Sequence, residues 1–146
     1  MKQSDHYETP WPIFQQACAL FDIYPKLDVC ATEKNTKCPR YYDKSGLDLP
    51  YDVDFWLNPP YSESKKWVRK AYIEHIKNNV NGLALLQSKT GTAYWHDYIF
   101  GTHKDGSPKA IVTFLPGRIK FNLDNKPTKF NPRFDSAIVF WPKRSY

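Results

Sequence analysis

Two consecutive prolines directly after an apolar segment constrain the fold of this chain most strongly. The apolar segment 53–57 leads into the tetrapeptide Asn58-Pro59-Pro60-Tyr61, and a helix-like stretch follows. A residue that precedes a proline is pushed out of the α-helical region, so the prolines fix where a strand must stop. The sequence therefore predicts a buried strand whose carboxyl end presents an amide, a stiff carbonyl and an aromatic ring. In open α/β sheets, ligands bind at that edge.

Strand-like and helix-like segments alternate along the rest of the chain. Apolar spacing predicts three helices: one over 13–21, one that follows a capping serine at Ser62 or Ser64, and one over 93–100. It predicts strands at 26–31, 54–57, 83–86, 110–115 and 136–141. This alternation predicts an α/β fold with a mostly parallel sheet and helices on both faces. No helix-like segment separates the last two strands, so an antiparallel C-terminal hairpin is expected. The length favours one domain, residues 1–146.

The composition favours a polyanionic partner and a reducing compartment. Lys and Arg number 21 against 15 Asp and Glu, a net charge of +6 that suits nucleic acid. Aromatic residues make up 16% of the chain, and base stacking is one use for that surplus. Cys18, Cys30 and Cys38 form no CxxC pair, so neither a disulfide framework nor a metal site is expected. The chain lacks a membrane-length apolar run and a signal peptide's apolar stretch, which predicts a cytoplasmic protein without a membrane partner.

The tetrapeptide favours chemistry on an amino group carried by a planar ring. The exocyclic nitrogen of adenine is a poor nucleophile because its lone pair is delocalised into the ring. The side-chain oxygen of Asn58 and the carbonyl of Pro59 can both accept its N–H groups and localise the lone pair. Pro60 stiffens that geometry, and Tyr61 can stack on the base. A simple strand-ending turn is the alternative, since Asn and Pro favour turns in any case.

A second candidate region is the basic and aromatic segment 116–134. Its five basic residues oppose a single acidic one, Asp124, and phenylalanines lie between them at 121, 130 and 134. Basic residues interleaved with aromatics suit contacts to phosphates and bases. The residues expected to bind DNA are Lys89, Arg118, Lys120, Lys126, Lys129 and Arg133. A solvated loop above a few packed aromatic rings is the alternative interpretation.

Six stretches, in the same order along nearly the whole chain, resemble the phage-type DNA N6-adenine methyltransferases. They are Glu8-Thr9-Pro10-Trp11, Leu27-Asp28-Val29-Cys30-Ala31, Cys38-Pro39-Arg40-Tyr41-Tyr42, Trp56-Leu57-Asn58-Pro59-Pro60-Tyr61-Ser62, Trp67-Val68-Arg69-Lys70-Ala71 and Leu115-Pro116-Gly117-Arg118-Ile119-Lys120-Phe121. The tetrapeptide is the specific one among them. It resembles the catalytic motif of amino-methyltransferases that use S-adenosyl-L-methionine, in which Asp commonly stands where this chain has Asn58.

The resemblance implies a reduced Rossmann-like, class I methyltransferase sheet and a site for S-adenosyl-L-methionine. It implies that the catalytic residues are Asn58, Pro59, Pro60 and Tyr61. It implies that the cofactor is bound by Thr9, Pro10, Asp28, Cys30, Ala31 and Asp48, although Asp28 can also be interpreted as a loop cap. The chain departs from the pattern over residues 28–33, which contain no glycine where most such enzymes have a glycine-rich turn.

The expected activity is methyl transfer to N6 of adenine in DNA. An amine inside a duplex is out of reach, so the target adenine is expected to be flipped out of the stack. A homodimer is possible, and a phage-encoded enzyme would act in the host cell cytoplasm. Methylation of RNA bases or of protein glutamine is an alternative. A non-catalytic nucleic-acid-binding module on the same fold is another, which the missing glycine turn favours.

Overall fold

The computed structural model describes residues 7–101, 108–127 and 134–145, so the expected DNA-binding residues Lys129 and Arg133 lie outside the described residues. Its helices and strands are, in chain order, α1 (Trp11–Phe21), β1 (Leu27–Asp28), β2 (Arg40–Tyr41), β3 (Phe55–Leu57), α2 (Ser64–Asn78), β4 (Gly82–Gln87), α3 (Ala93–Trp95), β5 (Ile111–Phe114), β6 (Asn122–Leu123), β7 (Lys126–Pro127) and β8 (Ser136–Trp141). The strand that the apolar pattern placed at 136–141 has those bounds in the structure.

Six of these strands form one sheet in the order β2-β1-β3-β4-β8-β5. β1 pairs in parallel with both β2 and β3, and β3 pairs in parallel with β4. β8 runs antiparallel to β4 and to β5, between which it lies. The predicted mixed sheet, mostly parallel with an antiparallel C-terminal pair, is therefore confirmed. The chain between β5 and β8 also carries a small antiparallel hairpin, β6–β7, that the sequence did not predict.

Helices cover both faces of the sheet, as predicted. Successive side chains of a strand point to opposite faces, so Phe55 and Leu57 face one hydrophobic cluster and Trp56 faces the other. The first cluster includes the buried residues of α2 and α3, and the second includes those of α1. All six residues of β4 are buried, as expected for a strand with neighbours on both sides and helices on both faces.

Local boundaries differ from the sequence prediction at α1 and α2. α1 begins two residues early, at Trp11, and the amides of Ile13 and Phe14 donate to the carbonyl of Pro10. The prediction that Ser62 or Ser64 caps α2 was wrong. The helix begins at Ser64 without a side-chain cap, because the Ser64 hydroxyl donates instead to the carbonyl of Tyr61 at 3.2 Å.

Two further segments are irregular where regular structure was predicted. The predicted strand 26–31 shortens to β1, because the amide of Cys30 donates to the side chain of Asp28 and not to a neighbouring strand. The predicted helix 93–100 is α3 followed by a π-type turn over His96–Phe100, which ends at Gly101 with φ 76°. In the part of the chain that the structure describes, no helix is both long enough and apolar enough to cross a bilayer.

Candidate active site

A pocket of about 1250 Å³ opens where β1 and β3 end. Pockets for a single small ligand measure roughly 300–1000 Å³, so this one has room for more than one. Its lining includes six of the residues that the sequence proposed for catalysis or cofactor binding: Thr9, Asp28, Cys30, Ala31, Asn58 and Pro60. We refer to Asp28, Cys30, Asn58 and Pro60 as the strand-end group, because β1 ends at Asp28 and β3 ends just before Asn58.

Four proposed site residues do not line this pocket: Pro10, Asp48, Pro59 and Tyr61. Pro59 is buried directly beside Asn58, and Pro10 occupies the position before α1. Asp48 is exposed, and the neighbouring Leu47 lines the pocket in its place. The sequence thus located the right loop there but not the residue that faces the cavity.

The Asn58 side chain is oriented by the N-terminal segment. Its Nδ2 donates to the main-chain carbonyl of Tyr7 at 3.3 Å. The two ends of an amide are assigned from such contacts, and this contact fixes the NH2 group toward Tyr7. Within residues 7–101, 108–127 and 134–145, no group donates to Oδ1 of Asn58, which leaves an acceptor for a ligand.

The Tyr61 ring packs into an aromatic cluster. It meets Tyr7 and Phe121 edge to face, with ring centroids 6.3 and 5.9 Å apart, and Tyr7 stacks on Phe121 at 5.8 Å. Burial raises the pKa of the Tyr61 phenol well above its usual range. Tyr61 is half-buried, so the ring that the sequence assigned to base stacking is held in its plane by two protein rings.

Asp28 is a buried carboxylate with backbone donors. It is 3% exposed, and its oxygens accept the amides of Cys30 at 3.3 Å and Lys37 at 3.0 Å. Burial raises the pKa of Asp28 to about 7, although the two backbone hydrogen bonds and the Lys37 ammonium oppose the shift. Asp28 therefore caps the loop that follows β1, as in the alternative interpretation, while it also lines the pocket.

The same end of the pocket is negatively charged. Burial, helped by the nearby carboxylates of Asp28, Glu63 and Asp43, raises the pKa of the Cys30 thiol to about 12. Asp43 and Glu63 line the pocket together with Asp28. The Cys30 thiol is therefore protonated near neutral pH and is not a nucleophile. The three carboxylates favour a ligand that brings hydrogen-bond donors or positive charge.

Close backbone approach near β1 depends on Gly46. A Cβ at this position would lie 1.9 Å from the carbonyl oxygen of Val29 and 2.7 Å from the Trp67 ring. The segment 28–33 lacks glycine, so the tight contact beside β1 is provided by a glycine from the loop after β2. Trp67 also lines the pocket, a position that the sequence did not predict.

Glu8 connects three separate parts of the pocket wall. Its backbone pairs with Asn122 in both directions, at 2.7 and 2.9 Å. Its carboxylate accepts the backbone amide of Asn125 at 2.8 Å and the Asn35 side-chain amide at 3.2 Å. We call this set, Glu8 with Asn35, Asn122 and Asn125, the Glu8 bridge. It joins the N-terminal segment to the loop after β1 and to the β6–β7 hairpin, all of which line the pocket.

The four proposed DNA-binding residues that the structure describes do not line the pocket: Lys89, Arg118, Lys120 and Lys126. The Lys89 ammonium lies over the Phe134 ring, 4.5 Å from its centroid, and Arg118 Nε is 3.7 Å from the carboxylate of Asp135. These contacts bring Lys89 and Arg118 to one short segment, residues 134–135. Lys126 is exposed on the β6–β7 hairpin, and Lys120 is exposed in the preceding loop. The described basic residues thus form two parts of the surface, with Lys89 and Arg118 beside residues 134–135 and Lys126 on the hairpin that lines the pocket.

Comparison with known proteins identifies the family. A model of the DNA N-6-adenine-methyltransferase (Dam) family matches residues 1–145. The chain belongs to this family. The resemblance noted in the sequence is thereby confirmed, and so is the expected class, an adenine-specific DNA methyltransferase. Since the reaction adds a methyl group, an enzyme of this family needs a methyl donor.

Two phage proteins are similar to this chain, and both are named DNA N-6-adenine-methyltransferase. The protein from Haemophilus phage HP1 (strain HP1c1) is 31% identical over 147 residues, covering 97% of this chain and 82% of the phage protein. The protein from Escherichia phage T1 is 30% identical over 95 residues. That match covers 62% of this chain and 39% of the T1 protein.

Proposed function

We propose that this protein transfers a methyl group from S-adenosyl-L-methionine to N6 of adenine in DNA, on a reduced Rossmann-like sheet. One observation carries the proposal within this family. The amide of Asn58 is fixed by the Tyr7 carbonyl, so that its oxygen remains available at a pocket beside the strand ends. An acceptor in that position suits the amino group of a planar base.

The residues of the pocket fit S-adenosyl-L-methionine. Two buried polar atoms of the lining, Thr9 Oγ1 and Trp67 Nε1, have no hydrogen-bond partner among the described residues. Buried polar groups are normally satisfied, and a ligand in this pocket would offer hydrogen-bond partners to these two. The carboxylate of Asp28 suits ribose hydroxyls or an ammonium group, while Thr9, Cys30 and Ala31 would complete the binding wall. The bound cofactor would supply a methyl group on a positively charged sulfur.

Asn58 and Pro59 act on the target base by accepting its two amino protons in hydrogen bonds. The Asn58 oxygen and the Pro59 carbonyl together hold the nitrogen lone pair out of conjugation with the ring. Neither group has to remove a proton before transfer, because the methylated nitrogen becomes acidic only afterwards and then loses one proton to water. Most of the rate enhancement then comes from positioning the nitrogen, as in other reactions between two held groups.

The base must leave the duplex to reach this pocket. Tyr61 would stack against the flipped base with its half-exposed ring, while Tyr7 and Phe121 keep that ring in plane. Base–aromatic stacking contributes about 1–3 kcal/mol per base. The volume of about 1250 Å³ leaves space for a flipped base beside the cofactor.

Transfer of labelled methyl groups tests the proposal. The purified protein is incubated with methyl-tritiated S-adenosyl-L-methionine and with DNA, RNA or a protein mixture, and the modified nucleosides are separated. We expect label in N6-methyladenine from DNA and its loss in Asn58→Ala, with the unfolding temperature of that variant unchanged. Label that enters RNA or protein but not DNA, or full activity of Asn58→Ala, would refute the proposal.

A further inference from the structure

The indole N–H of Trp67 is a buried donor without an acceptor. Trp67 is 6% exposed and lines the pocket, and no described residue accepts a hydrogen bond from its Nε1. Two of the other buried tryptophans donate to backbone carbonyls: Trp95 to that of Gln87 at 3.0 Å, and Trp141 to that of Tyr98 at 2.8 Å. Because the indole nitrogen can only donate, a bound molecule must offer an acceptor there.

The position of this ring is enforced by its surroundings. Gly46 makes room for it, since a Cβ on Gly46 would come within 2.7–2.8 Å of two ring atoms. The ring also belongs to the cluster formed with Val68, Ala71 and Leu57. A ring packed in this way cannot easily turn its N–H toward a protein acceptor, and the pocket that the ring lines is where a bound ligand would supply one.

The charges around Trp67 restrict what kind of acceptor can approach. Asp43 and Glu63 line the pocket with Trp67 and, together with Asp28, act electrostatically on Cys30. Three carboxylates disfavour an anionic acceptor such as a carboxylate or phosphate. A neutral acceptor on a flat, largely apolar group fits better, particularly one with an amino group that can donate to a carboxylate. The adenine ring has ring-nitrogen acceptors and an exocyclic amine.

We propose that the Trp67 indole N–H donates to a ring nitrogen of the adenine of the methyl donor, so that Trp67 helps to select an adenine nucleoside as cofactor. This inference rests on the proposed function, because it requires S-adenosyl-L-methionine in this pocket. It concerns recognition of the cofactor and not of the DNA base, so binding without DNA tests it.

Isothermal titration calorimetry with S-adenosylhomocysteine, without DNA, provides the test. Trp67→Phe keeps an aromatic ring and removes the N–H, and we expect it to weaken binding roughly tenfold, as for loss of one hydrogen bond to a buried acceptor. Trp95→Phe is the matched control: it also removes an indole N–H but lies outside the pocket lining. It should lower the unfolding temperature and leave affinity unchanged. Trp67→Phe also replaces a packed core ring by a smaller one and should lower the unfolding temperature too, so the affinity and not the stability distinguishes the two variants.

Ligand analogues give a test that does not depend on the folding of any variant. The 1-deaza, 3-deaza and 7-deaza forms of S-adenosylhomocysteine each lack one ring nitrogen. We expect one of them to bind the unmodified protein about tenfold more weakly than S-adenosylhomocysteine, and to bind Trp67→Phe no more weakly than S-adenosylhomocysteine does. Equal binding of all four ligands by the unmodified protein would overturn the inference.

The outcomes separate this inference from the proposed function. If the unmodified protein binds S-adenosylhomocysteine and Trp67→Phe binds it equally well, the role of Trp67 is refuted and the proposed function stands. If the unmodified protein binds no S-adenosylhomocysteine in the calorimeter, the proposed cofactor and the role of Trp67 both fail.

Discussion

The strand-end group and the Glu8 bridge line the same pocket but are held by different interactions. Asp28 and Asn58 follow directly from where β1 and β3 stop, so the sheet itself positions them. Glu8 depends on hydrogen bonds to Asn35 and Asn125, which lie 27 and 117 residues away along the chain. The first set is fixed by local backbone geometry, and the second only by the completed fold. Perturbing the two sets should therefore affect different steps of the reaction.

The largest effect is expected in the strand-end group, at the contact between Asn58 and Tyr7, the residue next to Glu8 in the chain. Asn58→Asp restores the residue common in related motifs, but its carboxylate would face the Tyr7 carbonyl, which now accepts from Nδ2 at 3.3 Å. Two acceptors repel each other, and losing a buried hydrogen bond while opposing like dipoles costs about 1–3 kcal/mol. We expect kcat to fall by up to about 100-fold at neutral pH, as measured by initial rates at saturating DNA.

The pH profile of Asn58→Asp identifies the cause. A protonated carboxyl can donate to the Tyr7 carbonyl and offer its other oxygen to the substrate, so activity should recover as the pH falls through the pKa of the new carboxyl. The unmodified protein, measured in parallel, corrects for other groups. An Asn58→Asp rate equal to that of the unmodified protein at neutral pH would show that Tyr7 does not orient this side chain.

The second effect is a pH dependence carried by Asp28. Its pKa is raised from 3.8 to about 7 by burial. A ligand that donates hydrogen bonds or carries positive charge prefers the ionised carboxylate, so binding of S-adenosylhomocysteine should strengthen as pH rises through about 7. Binding below that pH should release a proton, which calorimetry in buffers of different ionisation enthalpy detects. Asp28→Asn should bind more weakly and lose this dependence.

The same pKa shift of Asp28 predicts how the stability of the free protein depends on pH. Between pH 3.8 and about 7 the folded protein keeps a proton on Asp28 that the unfolded chain has lost. The contribution of this group to stability is thus fully present below pH 3.8 and is lost as pH rises through about 7. Urea unfolding of the Asp28→Asn variant across this range should lack that decline. An identical pH profile for both proteins would contradict a pKa of Asp28 that burial raises in the folded protein.

The sequence predicted the strand-end group because the rules involved are local. Prolines at 59 and 60 must end a strand, and the apolar run before them indicates burial. The Glu8 bridge could not be predicted, because a carboxylate at position 8 carries no sign of partners more than a hundred residues away. The β6–β7 hairpin had a weak signal, since Asp124 and Asn125 both adopt positive φ and such residues favour hairpin turns. The hairpin was not predicted because the surrounding basic segment was interpreted as a nucleic-acid-binding loop.

Other features of the site needed the strand order and the tertiary packing. No sequence pattern indicated that β8 lies between β4 and β5, or that Tyr61 packs against Tyr7 and Phe121. Thr9 and Pro10 were expected to bind the cofactor, but the contact from the N-terminal segment to Asn58 comes from the backbone carbonyl of Tyr7, just before that motif. Main-chain groups have no residue identity, so no sequence pattern marks them.

The third and smaller effect belongs to the Glu8 bridge. Glu8→Ala removes both side-chain hydrogen bonds, to Asn35 and Asn125, and should loosen the hairpin against the loop after β1. Each bond is partly exposed and contributes about 1 kcal/mol, so we expect KM for S-adenosyl-L-methionine to rise about five- to tenfold with kcat nearly unchanged. Glu8→Gln keeps one acceptor oxygen and should give an intermediate KM.

A control separates this bridging role from simple loss of charge in the pocket. Glu33→Ala removes an exposed carboxylate from the same lining and should change KM less than Glu8→Ala does. Hydrogen exchange adds a readout independent of activity: the Asn125 amide should exchange faster in Glu8→Ala only. Equal effects of the two substitutions would mean that the charge matters and the bridge does not.

The smallest effect concerns DNA affinity, where the two parts of the basic surface should differ. Arg118 lies 3.7 Å from the Asp135 carboxylate, so part of its charge is already offset, whereas Lys126 is exposed on the hairpin at the pocket. A lysine that contacts a phosphate contributes about 0.9 to the salt slope of binding. We expect Lys126→Ala to weaken DNA binding a few-fold and to reduce that slope by about one, with Arg118→Ala showing less.

Fluorescence anisotropy with a labelled duplex over a series of salt concentrations measures both quantities. Lys143→Ala is the control, because the Lys143 amide bonds to the Asn81 side chain at the opposite edge of the sheet, where β4 begins. It should leave the salt slope unchanged. A slope reduced as much by Lys143→Ala as by Lys126→Ala would show that the excess positive charge acts diffusely. In that case the hairpin would close the pocket without guiding the DNA toward it.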